Sequence, residues 1–275
     1  MFCRLLVILF LSVSLSACSC HGNIHFSNFK PKPKGRIRVA TYNVNWGNGE
    51  WKIKSHKSTL NVIKVTKADI LLLQETTKKW CKLILKEFSK FYHYRYFYKD
   101  GNAGGMAILS RYPMHHLKVL WAPEARHAAL LADISTPIGK LQVLNVHLRP
   151  PLNIHDGIGP LGLEIWRSSN LRMKELRYLT QQLKPNKKTI IAGDFNEGSR
   201  GHAYVYLRRH DFVDALRYDK SGSDTWCWKW MFFTLSGHLD HMFTRPKVLY
   251  PQQVQVLHEG ASDHFPIVVD YRING

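Results

Sequence analysis

Residues 36–43 alternate polar and apolar side chains, the two-residue period of a strand, until Asn45-Trp46-Gly47-Asn48-Gly49 breaks the pattern. Leu60, Ile63 and Lys64 lie in a helical stretch over about 54–67, and the run Ala68-Asp69-Ile70-Leu71-Leu72-Leu73-Gln74-Glu75 reads as a central strand over 69–75. Trp80, Leu83, Ile84 and Phe88 have helix spacing. Strand-like runs follow near 92–98, 105–110, 115–120, 127–134 and 140–147, and short turns such as Pro137-Ile138-Gly139 make the last three antiparallel neighbours. Residues 164–183 read as a helix ended by Pro185, followed by strands over 188–194, 239–244 and 266–272. Alternation of strand and helix predicts an α/β domain.

The ends of these apolar runs carry the chemistry. A carboxylate that closes a core strand, as Glu75 does, is costly unless a positive group meets it. Thr41-Tyr42-Asn43-Val44-Asn45, Asn145-Val146-His147-Leu148, Gly193-Asp194-Phe195-Asn196 and Ser262-Asp263-His264-Phe265-Pro266 also sit at ends of apolar runs. Open α/β sheets gather chemistry where strands end, so these ends point to one divalent-metal site for phosphate-ester chemistry.

In this order, over residues 36–272, these motifs resemble the endonuclease/exonuclease/phosphatase superfamily; Leu239-Asp240-His241 between the last two strengthens the match. That superfamily includes deoxyribonuclease I, apurinic endonucleases, bacterial sphingomyelinases and inositol-polyphosphate phosphatases. The resemblance implies a four-layer α/β sandwich, two packed mixed sheets flanked by helices; a single sheet with helices on both faces is the alternative. It also implies Glu75 as first metal ligand with Asn45 and Asp263 beside it, for Mg²⁺ or alternatively Mn²⁺ or Ca²⁺. Asn45 stands where apurinic endonucleases have Asp, which removes one negative charge. Asp194 matches the water-orienting carboxylate, Asn196 a phosphate-facing amide, and Asn43 the amide that holds Asp194. Asp240 pairs with His264, and His147 supplies a second imidazole, as in deoxyribonuclease I. Arg126, at the start of the strand 126–130, and Arg149 are candidate phosphate contacts. His241 points to the other side of its strand and packs.

The N-terminus adds a destination. After Met1-Phe2-Cys3-Arg4 comes an apolar run from Leu5 to Ala17, too short to span a bilayer comfortably. Leu15-Ser16-Ala17-Cys18 resembles a bacterial lipobox, which implies a leader over 1–17, lipidation of Cys18, a polar tether over 18–35 and a catalytic domain over 36–275. A simple secretory leader is the alternative. Ser19 after Cys18 implies export to the outer membrane or the periplasmic face of a bacterial membrane, with the chain a monomer. An exported chain permits a disulfide between Cys81 and Cys227; two buried thiols are the other option.

The formal charge is +19, of which Arg4 contributes one, leaving +18 after the leader. That balance suits nucleic acid or an anionic lipid surface. The aromatic stretch Thr225-Trp226-Cys227-Trp228-Lys229-Trp230-Met231-Phe232-Phe233 reads first as the core of a strand, and otherwise as a stacking wall for bases or a lip that enters membrane. The leading expectation is a lipid-anchored, metal-dependent nuclease. A sphingomyelinase-like phospholipid phosphodiesterase or a phosphatase is the alternative among enzymes, and a non-catalytic polyanion-binding lipoprotein the alternative of another class.

Overall fold

The computed structural model describes residues 29–46, 56–101, 103–151, 161–230 and 233–273. The leader, Cys18 and the tether up to residue 28 lie outside the described residues, as does Phe232. With strands and helices labelled in chain order, the first sheet runs Leu249–Val256 (β13), Ile267–Ile273 (β14), Ile37–Asn43 (β1), Ile70–Gln74 (β2), Met106–Ser110 (β4) and Tyr94–Tyr98 (β3). The second runs Met114–Leu120 (β5), Ala129–Thr136 (β6), Gly139–His147 (β7), Lys188–Asp194 (β8), Asp240–Thr244 (β12) and Val213–Asp214 (β9). β1 is parallel to β2 and β7 to β8, while the other pairs are antiparallel, so both sheets are mixed.

Strand alternation explains the layers. Ile37, Val39, Ile70 and Leu72 point inward and meet Leu141, Val143, Ile190 and Ala192 of the second sheet. Their neighbours Ala40, Tyr42, Leu71 and Leu73 point outward and are covered by His56–Thr66 (α1) and Lys78–Phe88 (α2), through Ile63, Trp80, Ile84 and Phe88. On the other side, Leu144, Val146 and Ile191 are covered by Leu161–Gln181 (α3) and His202–Arg209 (α4), through Leu176, Leu179 and Leu207. Each such fully buried aliphatic side chain contributes about 1.5–3 kcal/mol. Two sheets buried on both faces make a four-layer sandwich, and the single-sheet alternative falls. α2 starts at Thr77, whose side chain accepts the Trp80 amide, directly after the strand that ends in Glu75.

Several elements differ from expectation. β6 begins at Ala129, and Arg126 lies in the bend before it, where the Ala125 amide closes a turn on Ala122. β13 was not foreseen. Its Pro251 sits at a register shift and its glutamines dilute the apolar pattern. The aromatic stretch is part of neither large sheet: Trp226–Trp230 (β10) and Phe233–Gly237 (β11) form a separate hairpin. Cys81 is a free buried thiol and Cys227 is disulfide-bonded, so the two do not pair with each other. Residues 29–32 lie against the domain. Arg38, fully buried, binds Asp270 through two hydrogen bonds of 2.7 Å, stacks on Phe29 and donates to the Lys30 carbonyl.

Candidate active site

Three strand ends leave their sheets through left-handed residues: Asn45 (φ 56°), Glu75 (φ 59°) and Asn196 (φ 52°). Asparagine takes this conformation readily, whereas for glutamate it costs about 1–2 kcal/mol. Surrounding bonds hold Glu75 there. The next amide, of Thr76, donates to the Gly105 carbonyl at 2.9 Å. Gly105 allows that approach, since a Cβ on it would stand 1.9 Å from the Thr76 carbonyl oxygen. The Glu75 carboxylate accepts the Trp46 amide at 2.9 Å and the Asn43 side-chain amide at 3.0 Å.

Asn43 joins the two sheets. Its Nδ2 donates to Glu75 Oε1 at the end of β2 and to Asp194 Oδ2 at the end of β8, each at 3.0 Å. The other Asp194 oxygen accepts the Asn196 amide at 2.8 Å. Asp194 is thus fixed by two neutral donors, and burial, first of all, raises its pKa, with His264 opposing and the Asp240 charge adding. Behind it, Gly193 (φ 143°) lets β8 close on β7: a Cβ there would stand 1.9 Å from the Val146 carbonyl oxygen.

His264 Nδ1 lies 2.8 Å from Asp240 Oδ2, and its Nε2 lies 3.7 Å from Asp194 Oδ2. Burial works to lower the His264 pKa, but Asp240 and then Asp194 hold it well above the ordinary imidazole value. The group is a buried imidazolium facing the carboxylate from which a water would be aimed. His147 comes to the same place from β7, its Nε2 3.6 Å from Asp194 and 3.9 Å from Glu75. Burial lowers its pKa, with Asp194 opposing. The His127 ring lies parallel to it, centres 4.1 Å apart.

Asp263 is clamped by two uncharged donors, Asn45 Nδ2 at 2.7 Å and Trp226 Nε1 at 3.2 Å. Ser262 fastens the same loop: its hydroxyl donates to the Asn43 carbonyl at 2.7 Å and accepts the His264 amide. The hairpin completes the clamp, since the Cys227 amide donates to Asp263 O and the Phe265 amide to Thr225 O. Thr225 Oγ1 also accepts the amides of Leu239 and Asp240.

Glu75 and Asp263 are close enough to affect each other. Burial, chiefly, raises the Glu75 pKa; hydrogen bonds from Trp46 and Asn43 resist, and the Asp263 charge adds to the rise. A divalent cation relieves such crowding, and an oxygen donor set of Glu75, Asp263 and Asn45 suits one that prefers oxygen. The tightest acidic and histidine cluster among the described residues is instead Asp194, Asp240 and His264, whose ligand atoms lie within 4.8 Å. There the His264 nitrogen facing Asp240 is already bonded, and the imidazolium offsets one of the two carboxylates. The oxygen donors of the Glu75 side could therefore hold a cation.

Other residues read from the sequence are placed differently. Arg149 binds Glu175 of α3 (Nε to Oε1, 3.4 Å) and the Glu124 carbonyl, which fixes the loop after β7. Asn196 donates its side-chain amide to the Leu148 carbonyl at 2.9 Å, so it ties the ends of β7 and β8. Asn145 lies one layer deeper and links the sheets: it donates to the Leu73 and Ala107 carbonyls and accepts from Gln74. His241 packs against Phe195, Tyr204 and Phe243, and also bonds Asp214 at 2.7 Å and the Glu197 carbonyl at 2.9 Å. Trp226 and His127 also shape the site, through Asp263 and His147. Trp226 was legible only as part of an aromatic run, and no spacing marks His127.

The sequence profile described as the Endonuclease/Exonuclease/phosphatase family matches residues 40–264. No curated protein sequence matches the chain. Among solved structures, an endonuclease/exonuclease/phosphatase from Beutenbergia cavernae DSM 12333 superposes with a TM-score of 0.67 at 16% identity, covering 87% of this chain and 72% of that one. D. rerio TDP2 complexed with single strand DNA product has a TM-score of 0.67 at 16% identity, covering 86% and 99%. The human Nocturnin catalytic domain with bound sulfate has a TM-score of 0.63 at 17% identity, covering 89% and 97%. The profile match spans most of the chain, and the sandwich carries the family's motifs on converging strand ends. The chain belongs to the endonuclease/exonuclease/phosphatase family, a superfamily of phosphodiesterases and phosphatases that typically use a divalent metal.

Proposed function

We propose that this chain is a divalent-cation-dependent phosphodiesterase that hydrolyses DNA or RNA. The observation that carries this reading is Asp194, held by Asn43 and the Asn196 amide within 3.7 Å of the His264–Asp240 pair. A phosphodiester needs an aimed water on one side of phosphorus and positive charge on its oxygens. Asp194 accepts the proton of the attacking water. The His264 imidazolium stabilises the developing charge and gives a proton to the departing oxygen. Asp240 keeps that imidazole charged and fixes its orientation. Glu75, with Asp263 and Asn45, would hold Mg²⁺, alternatively Mn²⁺ or Ca²⁺, which supplies Lewis-acid withdrawal of charge from a phosphate oxygen. The TDP2 relative bound to a DNA product supports a nucleic-acid substrate. We also propose that the chain is exported and lipidated at Cys18, on the strength of the apolar run and Leu15-Ser16-Ala17-Cys18.

The hairpin keeps a second reading alive. Trp228 is only half-buried next to the strand segment that clamps Asp263, a place where an aromatic lip could enter lipid. Offering the protein plasmid DNA, RNA, sphingomyelin vesicles and inositol phosphates with each cation separates the two. Cleavage of nucleic acid alone supports the nuclease. Hydrolysis of vesicle lipid with plasmid left intact replaces it by the phospholipid reading.

A further inference from the structure

The excess positive charge is gathered at the end of the sandwich opposite the site. β1, β2, β7 and β8 all run toward the site, so their first residues mark the far end, about 20 Å away along a seven-residue strand. There the chain exposes Lys34 before β1, Lys67 before β2, Lys140 at the start of β7, Lys184 before β8 and Lys247 between β12 and β13. The buried acids of this end are already bound: Asp69 to Lys32 and Arg111, Asp270 to Arg38, and Asp133 to Lys187. Among the end's described acids, exposed Asp211 and Glu87 stand against the lysines. At the site end the loops mix signs, with Glu124, Asp219, Asp224 and Glu259 among Lys78, Lys79 and Lys220.

Two further features distinguish this end from a merely solvated basic face. A cleft of about 290 Å³ opens between 185–189 and 245–249, lined by the cations Lys188 and Arg245 beside Pro185, Val248 and Leu249, with Lys187 in its wall bound to Asp133. Its cations over apolar walls match a phosphate headgroup and the start of its chains. Exposed Phe91, Tyr94, Val248 and Ile273 lie at the same end, among the cations. Aromatic and aliphatic side chains set in a field of lysines are the composition of a surface that rests in a bilayer interface.

We propose that this end of the domain docks on an anionic phospholipid bilayer and turns the active site away from it, toward the aqueous compartment. Docking needs no lipidation. The orientation also favours a soluble polyanion over bilayer lipid as substrate.

The test is sedimentation of the chain with vesicles of phosphatidylcholine, alone or with about a third phosphatidylglycerol. The variant is Lys67→Glu/Lys140→Glu/Lys184→Glu/Lys247→Glu, with the apolar N-terminal run kept in both proteins so that it contributes equally. Each lysine near an anionic surface is worth about a fivefold gain in partitioning. The parent should favour the anionic vesicles by tenfold or more, lose that preference in high salt, and lose it in the variant. The turnover of a soluble phosphodiester should be unchanged in the variant, which also shows that it is folded; should it not be, the four Lys→Gln changes serve in its place. Equal binding to both vesicles, or anionic-vesicle binding that survives the substitutions, overturns the proposal. So does a variant that keeps vesicle binding but loses DNA affinity, which would make this end a nucleic-acid surface.

Discussion

The His127 imidazole lies flat on that of His147, with centres 4.1 Å apart and planes 8° apart. The stack fixes the plane of the His147 ring, whose Nε2 stands 3.6 Å from Asp194. His127→Phe keeps a flat ring and should retain turnover within a few-fold, whereas His127→Ala should lower kcat about tenfold with little change in KM. Equal losses in both variants would show that stacking is not what matters.

The same pair predicts acid sensitivity. Burial lowers the pKa of both rings, that of His127 from 6.5 to about 3, with the His147 charge and Arg126 adding to the drop. The unfolded chain takes up these protons near 6.5 and the folded one resists them. Stability is therefore complete above pH 6.5 and is lost as pH falls from there toward 3. Urea midpoints measured across this range should fall less steeply for His127→Phe than for the parent. Parallel curves would contradict the assignment.

Asp240→Asn removes the strongest of the charges that hold His264 protonated. A raised pKa means that the imidazolium survives at neutral pH and is lost as pH rises through the raised value. In the variant that loss should come earlier, so the alkaline limb of the kcat profile moves to lower pH. An unmoved limb would assign it to another group.

Gly193→Ala should destabilise the domain by about 3 kcal/mol or more, because its Cβ would stand 1.9 Å from backbone and its φ of 143° suits glycine. Thermal unfolding checks this, and a shift of a degree or two would mean that β7 and β8 can separate cheaply.

The sandwich was legible where side chains repeat with one period. The run 69–75 is apolar enough to name a central strand, and Asn43, Asp194, Asp240 and His264 stand in motifs whose residues meet in space. Three things were not legible. β13 carries Pro251 and three glutamines, and is a strand only because β14 offers it a partner. Trp226 and His127 act across the fold on Asp263 and His147, and such contacts leave no spacing in the chain. Arg149 has the right residue type for phosphate, yet Glu175 lies within its reach. Net charge could be counted from the sequence, but its collection at the far end depends on which way each strand runs.

The central claim is that Asp194, beside a cation held by Glu75, drives phosphodiester hydrolysis of nucleic acid. The direct test is the single-turnover rate on labelled DNA and RNA for the parent, Asp194→Asn and Glu75→Gln, across a titration of Mg²⁺. The parent should cleave, and a chelator should stop it. Asp194→Asn should be slower by at least about a hundredfold at every Mg²⁺ concentration. Glu75→Gln should recover part of its rate as Mg²⁺ rises. Parental rates in Asp194→Asn, or full cleavage in chelator, would contradict the account.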